Sequence, residues 1–446
     1  MALSSAAARP RDPRPDPAVS WRRNLLFVWI GVFVGLVGAN FVFPFMPFYI
    51  QKLGISDTGQ VSFYSGLSEG ATGLSLTLTA PLWGAIADRF GRRPMFLRAL
   101  LGAGILIGLM GIVINVWQLI ALRFLMGAFA GTMGAAAALV AATTPREKVG
   151  RALGTLQTAA FSSNMLGPVL GGFVAANLGI RESFLFCAIL YGLAVVLVVV
   201  FVKEGTDAGV AAPTPASASQ GVIGDLRAVV AERQIVVMLI LTFILWLGTT
   251  FVRPVLPLNI NSFSDFANSS GAVRVTFNLG FWSARLNAEA ATGIVFGVIG
   301  LTSTVAALTV GPLGDRFGYR LCVSVAAVGS GLLYLPVALT GTFMAFLGLM
   351  GVVGLFQGAM VPGLNALIAA AVPDGKQGSA FGLAASMQSL ALLVGPFSGG
   401  LAGGIFGINA PYVIIGIVLA VTGVWAYLAV RDPVAHAPRV IGLADH

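Results

Sequence analysis

Histidine, cysteine and charge are all scarce in this chain of 446 residues, and each scarcity excludes a class of site. The two histidines, His436 and His446, both lie near the C-terminus. Without a histidine in an apolar segment, the chain cannot build an intramembrane zinc pair, Ser–His nucleophile or haem ligand. The two cysteines, Cys187 and Cys322, lie in different apolar segments and provide no disulfide framework. We therefore expect no metal, no cofactor and no enzyme active site.

Charged residues make up only 10% of the chain, whereas hydrophobic residues make up 57% and the mean hydropathy is +0.90. A soluble domain has about 25% charged residues, so this composition indicates an integral membrane protein. A spanning helix needs about 20 mostly apolar residues. We predict an all-α membrane protein with twelve spans, near 24–50, 61–83, 96–115, 117–141, 151–176, 182–202, 233–258, 288–311, 320–339, 342–371, 377–403 and 409–430.

The sequence repeats itself at long range. Gly84–Arg93 returns 227 positions later, and Gly167–Gly172 returns 228 positions later. Phe41–Pro47 has a weaker echo at Phe251–Pro257. Three echoes in one order indicate a duplicated half of about 220 residues. Many transporters use duplicated membrane halves that face each other across a site at mid-membrane.

The duplication divides the twelve spans into two bundles of six. The segment between the bundles is rich in Pro, Ala and Ser, which is typical of a linker. A polar stretch near 259–287 is expected to form an external loop. The predicted organisation is a disordered cytoplasmic tail over 1–23, an N-terminal bundle over 24–202, a cytoplasmic linker over 203–232, a C-terminal bundle over 233–430 and a second cytoplasmic tail over 431–446.

The net charge of +9 reflects topology rather than nucleic-acid binding. If both termini are cytoplasmic, 20 of the 26 Lys and Arg residues fall on the cytoplasmic side, four fall outside and two remain inside spans. This is the positive-inside bias that sets the orientation of a membrane protein. We therefore expect the lipid bilayer as a partner, and no nucleic acid.

Three motifs resemble those of the twelve-span drug–proton antiporter family of the major facilitator superfamily. Gly84–Arg93 matches the loop motif between spans 2 and 3, Arg123–Gly127 matches the span-4 motif, and Ser163–Gly172 matches the span-5 motif associated with antiporters. The resemblance extends from Trp21 through the last span. It implies a major facilitator fold of two pseudo-symmetric six-helix bundles. It also implies a monomer in a bacterial inner membrane that exchanges protons for small-molecule substrates.

The resemblance further implies a conformational latch at the cytoplasmic ends of the spans. It places Asp88 against the start of span 11 and gives Asp315 the symmetric contact with the start of span 5, near Arg151. A helix N-terminus stabilises a nearby carboxylate. The alternative is that the basic residues of this motif only anchor the topology. The predicted latch residues are Gly84, Asp88, Arg89, Gly91, Arg92, Arg93, Asp315 and Arg316.

The span-5 motif contains Gly167, Pro168, Gly171 and Gly172. Pro168 lacks a backbone donor and permits a kink, and the glycines permit close contact with a neighbouring helix. Two roles are open for this antiporter motif. It serves helix packing, as its second copy suggests, or it takes a direct part in coupling.

Three charged residues lie inside spans: Glu69, Arg123 and Arg253. Burial disfavours the charged form of a carboxyl group, so Glu69 is the expected proton carrier, with Arg123 or Arg253 as counter-ion. The resemblance implies a proton-relay role for Arg123, although Met126 stands where the family often has Gln, and it adds Asp88 to the coupling residues. The alternatives are an interfacial, snorkelling Arg123 and a Glu69 wetted from the external mouth.

Amide and aromatic side chains in the spans suit a cavity for varied amphipathic ligands. We predict export of lipophilic or amphipathic compounds by proton antiport with alternating access. One rival is proton-coupled transport of a single physiological solute such as an organic anion, sugar or siderophore. Another is a membrane enzyme or a sensor. The predicted substrate-binding residues are Asn40, Phe41, Phe45, Gln157, Asn164, Trp246, Arg253, Gln357, Asn365 and Gln388.

Overall fold

The computed structural model describes residues 21–145, 148–203, 232–263, 266–267, 273–278, 283–372 and 377–430. Eleven segments of this described part are long and apolar enough to cross a membrane. A further helix, Thr58–Phe90, has 33 residues and packs among them, and we number it span 2. Most of the predicted tails and linker lies outside the described residues.

The twelve long segments follow the predicted order. In the first half they are span 1, Trp21–Lys52; span 2, Thr58–Phe90; span 3, Arg92–Met110; span 4, Val116–Thr143; span 5, Val149–Leu178; and span 6, Ile180–Phe201. In the second half they are span 7, Arg233–Thr250; span 8, Ala288–Phe317; span 9, Tyr319–Ala338; span 10, Phe343–Ala371; span 11, Gln377–Phe406; and span 12, Ala410–Ala429.

Spans 1, 4 and 7 are interrupted, and the sequence accounts for each interruption. In span 1, Pro44 lies in a short 3₁₀ turn between two α-helical pieces. In span 4 the helix stops at Phe129 and restarts after Gly131, whose φ is +109°. Span 7 ends at Thr250 because the chain turns through the segment containing Pro254 before a short helix, Leu256–Ser262. Proline lacks the backbone donor that a continuous helix requires.

The polar stretch after span 7 is more ordered than the expected external loop. It forms a three-stranded antiparallel sheet of β1 (Phe266–Ala267), β2 (Val273–Asn278) and β3 (Ser283–Asn287). Val275 of β2 is fully buried against the second half. The Asn287 Nδ2 donates a hydrogen bond to the carbonyl oxygen of Ala176 in span 5, at 3.2 Å. The sheet therefore packs on the second half and also contacts the first.

Equivalent glycines in the two halves make equivalent helix–helix contacts. A Cβ added to Gly171 would strike the carbonyl oxygen of Phe41, and one added to Gly399 would strike that of Phe251. These contacts join span 5 to span 1 and span 11 to span 7. Each half also has its own hydrophobic core. The two bundles are thus built to one plan, as the repeats predict.

The halves meet along two glycine seams. In the first, span 2 packs on span 11, where a Cβ on Gly66 would lie 2.9 Å from the Cα of Gly400. In the second, span 5 packs on span 8, where a Cβ on Gly172 would lie 3.1 Å from the Cα of Gly293. Both seams lie toward the face of the molecule at which span 1 ends. We call it the opposite face, because it lies across the membrane from the face at which span 1 begins.

Glycines near the other end of these spans have open space around them. We call this end, where span 1 begins and span 12 ends, the terminal face. No atom lies within 4 Å of a Cβ added to Gly150 or Gly154 in span 5, Gly311 in span 8 or Gly382 in span 11. Among the described glycines, those that pack between the halves therefore lie from the opposite face to the middle of the spans, as far as Gly73 and Gly300.

Candidate functional site

Glu69 lies in span 2 beside the seam between the halves. It is the twelfth residue of its helix, roughly 16 Å from the helix start at 1.5 Å per residue. Its side chain is only 5% exposed. Gly66 and Gly70, which flank it, pack on the backbone and side chains of span 11. The carboxyl group is thus deep in the bundle and close to the second half.

Arg123 in span 4 is held against span 2 and is 3% exposed. Its Nε donates a hydrogen bond to the Ser68 Oγ at 3.3 Å, and the Thr72 Oγ1 donates one to the Arg123 carbonyl oxygen at 2.9 Å. Gly127 lets the two helices approach, because a side chain there would strike the Thr72 carbonyl oxygen. This close packing brings the guanidinium group to Ser68, the residue that precedes Glu69.

Arg253 reaches the same place from the second half. Its Cζ lies 5.5 Å from the centroid of the Phe43 ring, and the Arg123 Cζ lies 4.9 Å from that same centroid. An arginine at such a distance is attracted by the π face of an aromatic ring. Phe43 is not among the site residues predicted from the sequence. The echo of Phe41–Pro47 at Phe251–Pro257 could have revealed it, because it aligns Phe43 with Arg253.

The three charged groups form one electrostatic cluster. Glu69 interacts with both Arg123 and Arg253, and Arg253 also interacts with Tyr334. The Tyr334 hydroxyl accepts a hydrogen bond from the Gln357 Nε2 at 2.8 Å. Within the described residues, the Glu69 Oε2 and the Arg123 Nη2 are buried without a hydrogen-bond partner. Unpaired buried polar atoms are costly, so this cluster is suited to exchange a proton or a ligand.

A family model described as "Major Facilitator Superfamily" matches residues 28–288 and 238–444. The chain belongs to the Major Facilitator Superfamily. It is therefore a multi-pass membrane transporter. The pseudo-symmetric bundles and the seams between them are its two-domain fold.

Named relatives of this superfamily member cover nearly the whole chain. It is 32% identical over 416 residues to "Multi-drug resistance efflux pump PmrA homolog" of Lactococcus lactis, covering 93% of this chain and 96% of the relative. It is 30% identical over 416 residues to "Multidrug resistance protein MdtG" of Enterobacter lignolyticus, covering 93% and 94%. It is 33% identical over 397 residues to "Multi-drug resistance efflux pump PmrA" of Streptococcus pneumoniae, covering 88% and 92%.

Solved structures show the same fold at low sequence identity. A D-xylose–proton symporter superposes with a TM-score of 0.71 at 16% identity, covering 93% of this chain and 99% of that chain. A bacterial homolog of the human lysosomal transporter Spinster, in an inward-facing and occupied conformation, superposes with a TM-score of 0.71 at 12% identity, covering 91% and 96%. These likenesses agree with the expected major facilitator fold.

The loop motif has structural contacts within each half. Gly91 and Gly318, at equivalent positions between two spans, have φ of +95° and +88°, which residues with a Cβ adopt at a cost. The Arg93 Nη2 donates to the carbonyl oxygen of Val199 at 2.6 Å. Its equivalent, Arg320, donates to that of Val430 at 3.4 Å. Both arginines thus tie the motif to the end of the sixth span of their half.

The latch contacts between halves stay a prediction. The surroundings of Gly84 and the side chains of Asp88 and Arg89 lie outside the described part of the structure. Asp315 is exposed, and its Oδ1 accepts a hydrogen bond from the Tyr319 hydroxyl at 2.8 Å, within the second half. The remaining latch residues contact their own halves: the Arg92 Nη1 donates to the Ala138 carbonyl oxygen at 3.2 Å, and the Arg316 Cζ lies 5.1 Å from the Phe317 ring centroid.

The antiporter motif faces two neighbours at once. Gly167 and Gly171 pack on span 1 of the same half, whereas Gly172 packs on span 8 of the other half. The Pro168 carbonyl oxygen also faces span 8, where it would meet a Cβ added to Gly293. These contacts support the packing role, and they show that the motif contributes to the seam between the halves.

The structure brings some of the predicted substrate-binding residues together. The Asn40 Nδ2 donates to the Asn164 Oδ1 at 2.8 Å, joining spans 1 and 5. Phe41 and Phe45 are at most 1% exposed and pack within the first half. The other candidates differ in exposure: Gln157 is exposed, and Trp246, Gln357, Asn365 and Gln388 are half-buried.

Proposed function

We propose that this transporter exports lipophilic or amphipathic compounds in exchange for protons, across a bacterial inner membrane. The relatives at about 30% identity that are named multidrug resistance or efflux proteins support the substrate class. The observation that supports coupling is the pair of buried charges Glu69 and Arg123, with the half-buried Arg253 of the other half near them. Such intramembrane charges are costly and usually serve function.

The orientation follows from the distribution of Lys and Arg. With both termini in the cytoplasm, 20 of 26 basic residues lie on the cytoplasmic side. The terminal face is then cytoplasmic and the opposite face external. Because the halves make their close glycine contacts toward the opposite face, the conformation described above is the inward-facing one.

Alternating access exchanges this conformation for one in which the seams toward the opposite face open. Glu69 is the proton carrier, because a carboxyl group that is neutral in one state and charged in the other links proton flow to the conformational change. Arg123 holds that carboxyl group in position. Asp88 stabilises the outward-facing state through a helix N-terminus, and amide and aromatic side chains around the cavity bind the substrate.

A second candidate is proton-coupled transport of one physiological solute, such as an organic anion. The observation in its favour is the excess of positive charge in the cluster, where two arginines face one carboxylate. A site of this kind favours a substrate with a negatively charged group. The breadth of substrates separates the two candidates.

Flux in proteoliposomes tests the proposal. The purified protein is reconstituted, a pH gradient is imposed, and uptake is measured for a panel of cationic, anionic and neutral amphipathic compounds. We expect several chemically unrelated compounds to move against their gradients, with protons moving in the opposite direction. Transport of a single solute, or flux that ignores the proton gradient, would contradict the proposal.

A further inference from the structure

Spans 8, 9 and 10 enclose an apolar groove in the second half, which we call the span 8–10 groove. Its volume is about 370 Å³, within the roughly 300–1,000 Å³ of ligand pockets. Among the described residues that line it, only Thr309 and Cys322 carry a heteroatom in the side chain. The Thr309 hydroxyl donates a hydrogen bond to the Ala306 carbonyl oxygen of its own helix, at 3.1 Å. The lining includes Val310, Leu313, Phe317, Val325 and Phe356.

A tryptophan stands at the equivalent position of the first half. With the offset of 227 positions that relates the loop motifs, Val310 corresponds to Trp83. Val325 corresponds to Arg98. The Arg98 Cζ lies 3.5 Å from the centroid of the Trp83 ring, and the Trp83 Nε1 donates to the Ala128 carbonyl oxygen at 2.6 Å. Two large side chains thus pack together between spans 2, 3 and 4, where the second half has two valines.

The helices around the two positions are arranged alike. A Cβ added to Gly102 would strike the Phe129 ring, and a Cβ added to the equivalent Gly329 would strike the equivalent Phe356 ring. In the first half the Phe129 ring centroid also lies 6.3 Å from that of Trp83. The groove therefore arises from a change of side chains on a duplicated scaffold, and not from a different packing of the helices.

The groove extends through the depth of one lipid leaflet. Along span 8 its lining starts at Ala306 and ends at Phe317, a distance of roughly 16 Å at 1.5 Å per residue. Phe317 is the last residue of span 8, so this end of the groove lies at the terminal face. The hydrocarbon core of a bilayer is about 30 Å thick, and one leaflet is half of that.

The groove opens toward the bilayer. Leu313, Phe317 and Val325 line it and are exposed, although they belong to membrane-spanning helices. Apolar atoms that border a void lose the dispersion contacts that neighbouring atoms would supply. Hydrocarbon that enters from the bilayer restores those contacts, and the acyl chains of lipids are the hydrocarbon at this depth.

Basic residues lie at the end of the groove on the terminal face. Arg316 is exposed, and its Cζ lies 5.1 Å from the ring centroid of Phe317, which lines the groove. The adjacent carboxylate, Asp315, accepts a hydrogen bond from the Tyr319 hydroxyl at 2.8 Å. Arg320, near the start of span 9, adds a second positive charge to this edge. Basic pockets between spans at the cytoplasmic surface favour anionic lipid headgroups.

We propose that the span 8–10 groove binds an anionic phospholipid from the leaflet at the terminal face. One acyl chain lies in the groove, and the phosphate group pairs with Arg316. The first half cannot hold a chain in the same place, because Trp83 occupies it. The bound lipid stabilises the packing of spans 8, 9 and 10. This site is separate from the charges around Glu69 and does not depend on proton coupling or on the direction of transport.

Photo-cross-linking in lipid nanodiscs tests this site. The probe is phosphatidylglycerol with a diazirine in one acyl chain, and phosphatidylcholine with the same chain is the comparison lipid. Mass spectrometry maps the cross-linked peptides. We expect phosphatidylglycerol to label the groove-lining parts of spans 8, 9 and 10 more strongly than phosphatidylcholine does. Arg316→Gln should reduce this preference about fivefold, the factor that one basic residue near an anionic membrane surface contributes.

Variants that fill the groove should abolish the labelling. Val310→Trp introduces the residue that the first half has at this position. Val325→Trp fills the groove from span 9 at an exposed position, and it provides the same test if Val310→Trp does not fold. Leu308→Trp is the matched control, because Leu308 is a strongly exposed residue of span 8 outside the groove lining. This control should be labelled like the wild type.

Thermal stability gives a second readout. A ligand that binds only the folded protein raises its melting temperature. Added phosphatidylglycerol should therefore raise the melting temperature of the purified wild type and of Leu308→Trp above the value in phosphatidylcholine. It should give no such increase in Val310→Trp or Val325→Trp.

Labelling of the groove that persists in both tryptophan variants would overturn the proposal. Equal labelling of the wild type by the two lipids would also overturn it, because the headgroup charge would then play no part. A third contrary result is displacement of the probe by amphipathic compounds that themselves label the groove. That result would assign the groove to a transported compound and not to a lipid.

Discussion

Replacing Gly66 by alanine should force the opposite face open. The added methyl group would lie 2.9 Å from the Cα of Gly400, and closer still to the carbonyl oxygen of Pro396. Carbon atoms pack at about 3.5–4.0 Å, so spans 2 and 11 must separate by roughly 1 Å or accept a clash. Both obstacles are backbone atoms, which cannot turn aside as a flexible side chain would.

The cost of this clash falls on one state of the cycle. Overpacking a well-packed contact costs about 1–3 kcal/mol, and this contact exists only while the opposite face is closed. A free energy of that size corresponds to a shift of roughly 5- to 150-fold in a conformational equilibrium. The open form should therefore rise from a minor to a substantial population.

The assay is the distance between spin labels at Ile114 and Leu339, on a background in which Cys187 and Cys322 are replaced by alanine. Gly154→Ala is the matched control, because it makes the same change in a helix where no atom lies within 4 Å of the new Cβ. It should leave the distances unchanged. If Gly66→Ala keeps the closed distance as well, the seam does not control the opposite face and the reasoning is refuted.

Three further predictions follow from the loop motif and the topology. Asp88→Asn should impair transport while leaving expression and substrate binding intact, because it removes one charge–dipole contact worth about 0.3–1 kcal/mol, up to ~2 when partly buried. Unchanged cross-linking between the cytoplasmic span ends in this variant would contradict the latch. Gly318→Ala should lower the melting temperature of the purified protein, because its φ of +88° costs other residues about 1–3 kcal/mol, whereas Gly382→Ala should not. Reporter fusions at Thr214 and Ser269 should give opposite sidedness, and equal sidedness would refute the six-plus-six topology.

The sequence allowed the fold to be predicted because its signals are long and repeated. Apolar runs located the spans, and the loop motif located the duplication. Helix ends were less predictable, since span 2 was expected near 61–83 but extends to Phe90. The apolar run of the sequence ends at the edge of the bilayer, whereas the helical hydrogen bonding of the backbone continues through the loop motif to Gly91. In span 7, Pro254 ends the helix earlier than the apolar run suggests.

The candidate site was only partly predictable. Glu69, Arg123 and Arg253 were identified because charge inside a span is rare, yet nothing in a linear pattern places Arg253, in the turn after span 7, on the same Phe43 ring as Arg123 of span 4. That juxtaposition depends on how the two halves pack at the seam. Phe43 was missed because one more phenylalanine in an apolar span gives no signal of its own. Its significance appears only when the two halves are aligned.

Proton-driven transport by the variant Glu69→Gln tests the central claim most directly. In proteoliposomes, Glu69→Gln should lose uphill, gradient-driven export and keep downhill exchange of substrate, because the amide mimics a permanently neutral carboxyl group. Glu182→Gln, at an exposed carboxylate in the first turn of span 6, is the matched control and should retain both activities. Uphill export by Glu69→Gln at the wild-type rate would contradict the account and remove Glu69 from proton coupling.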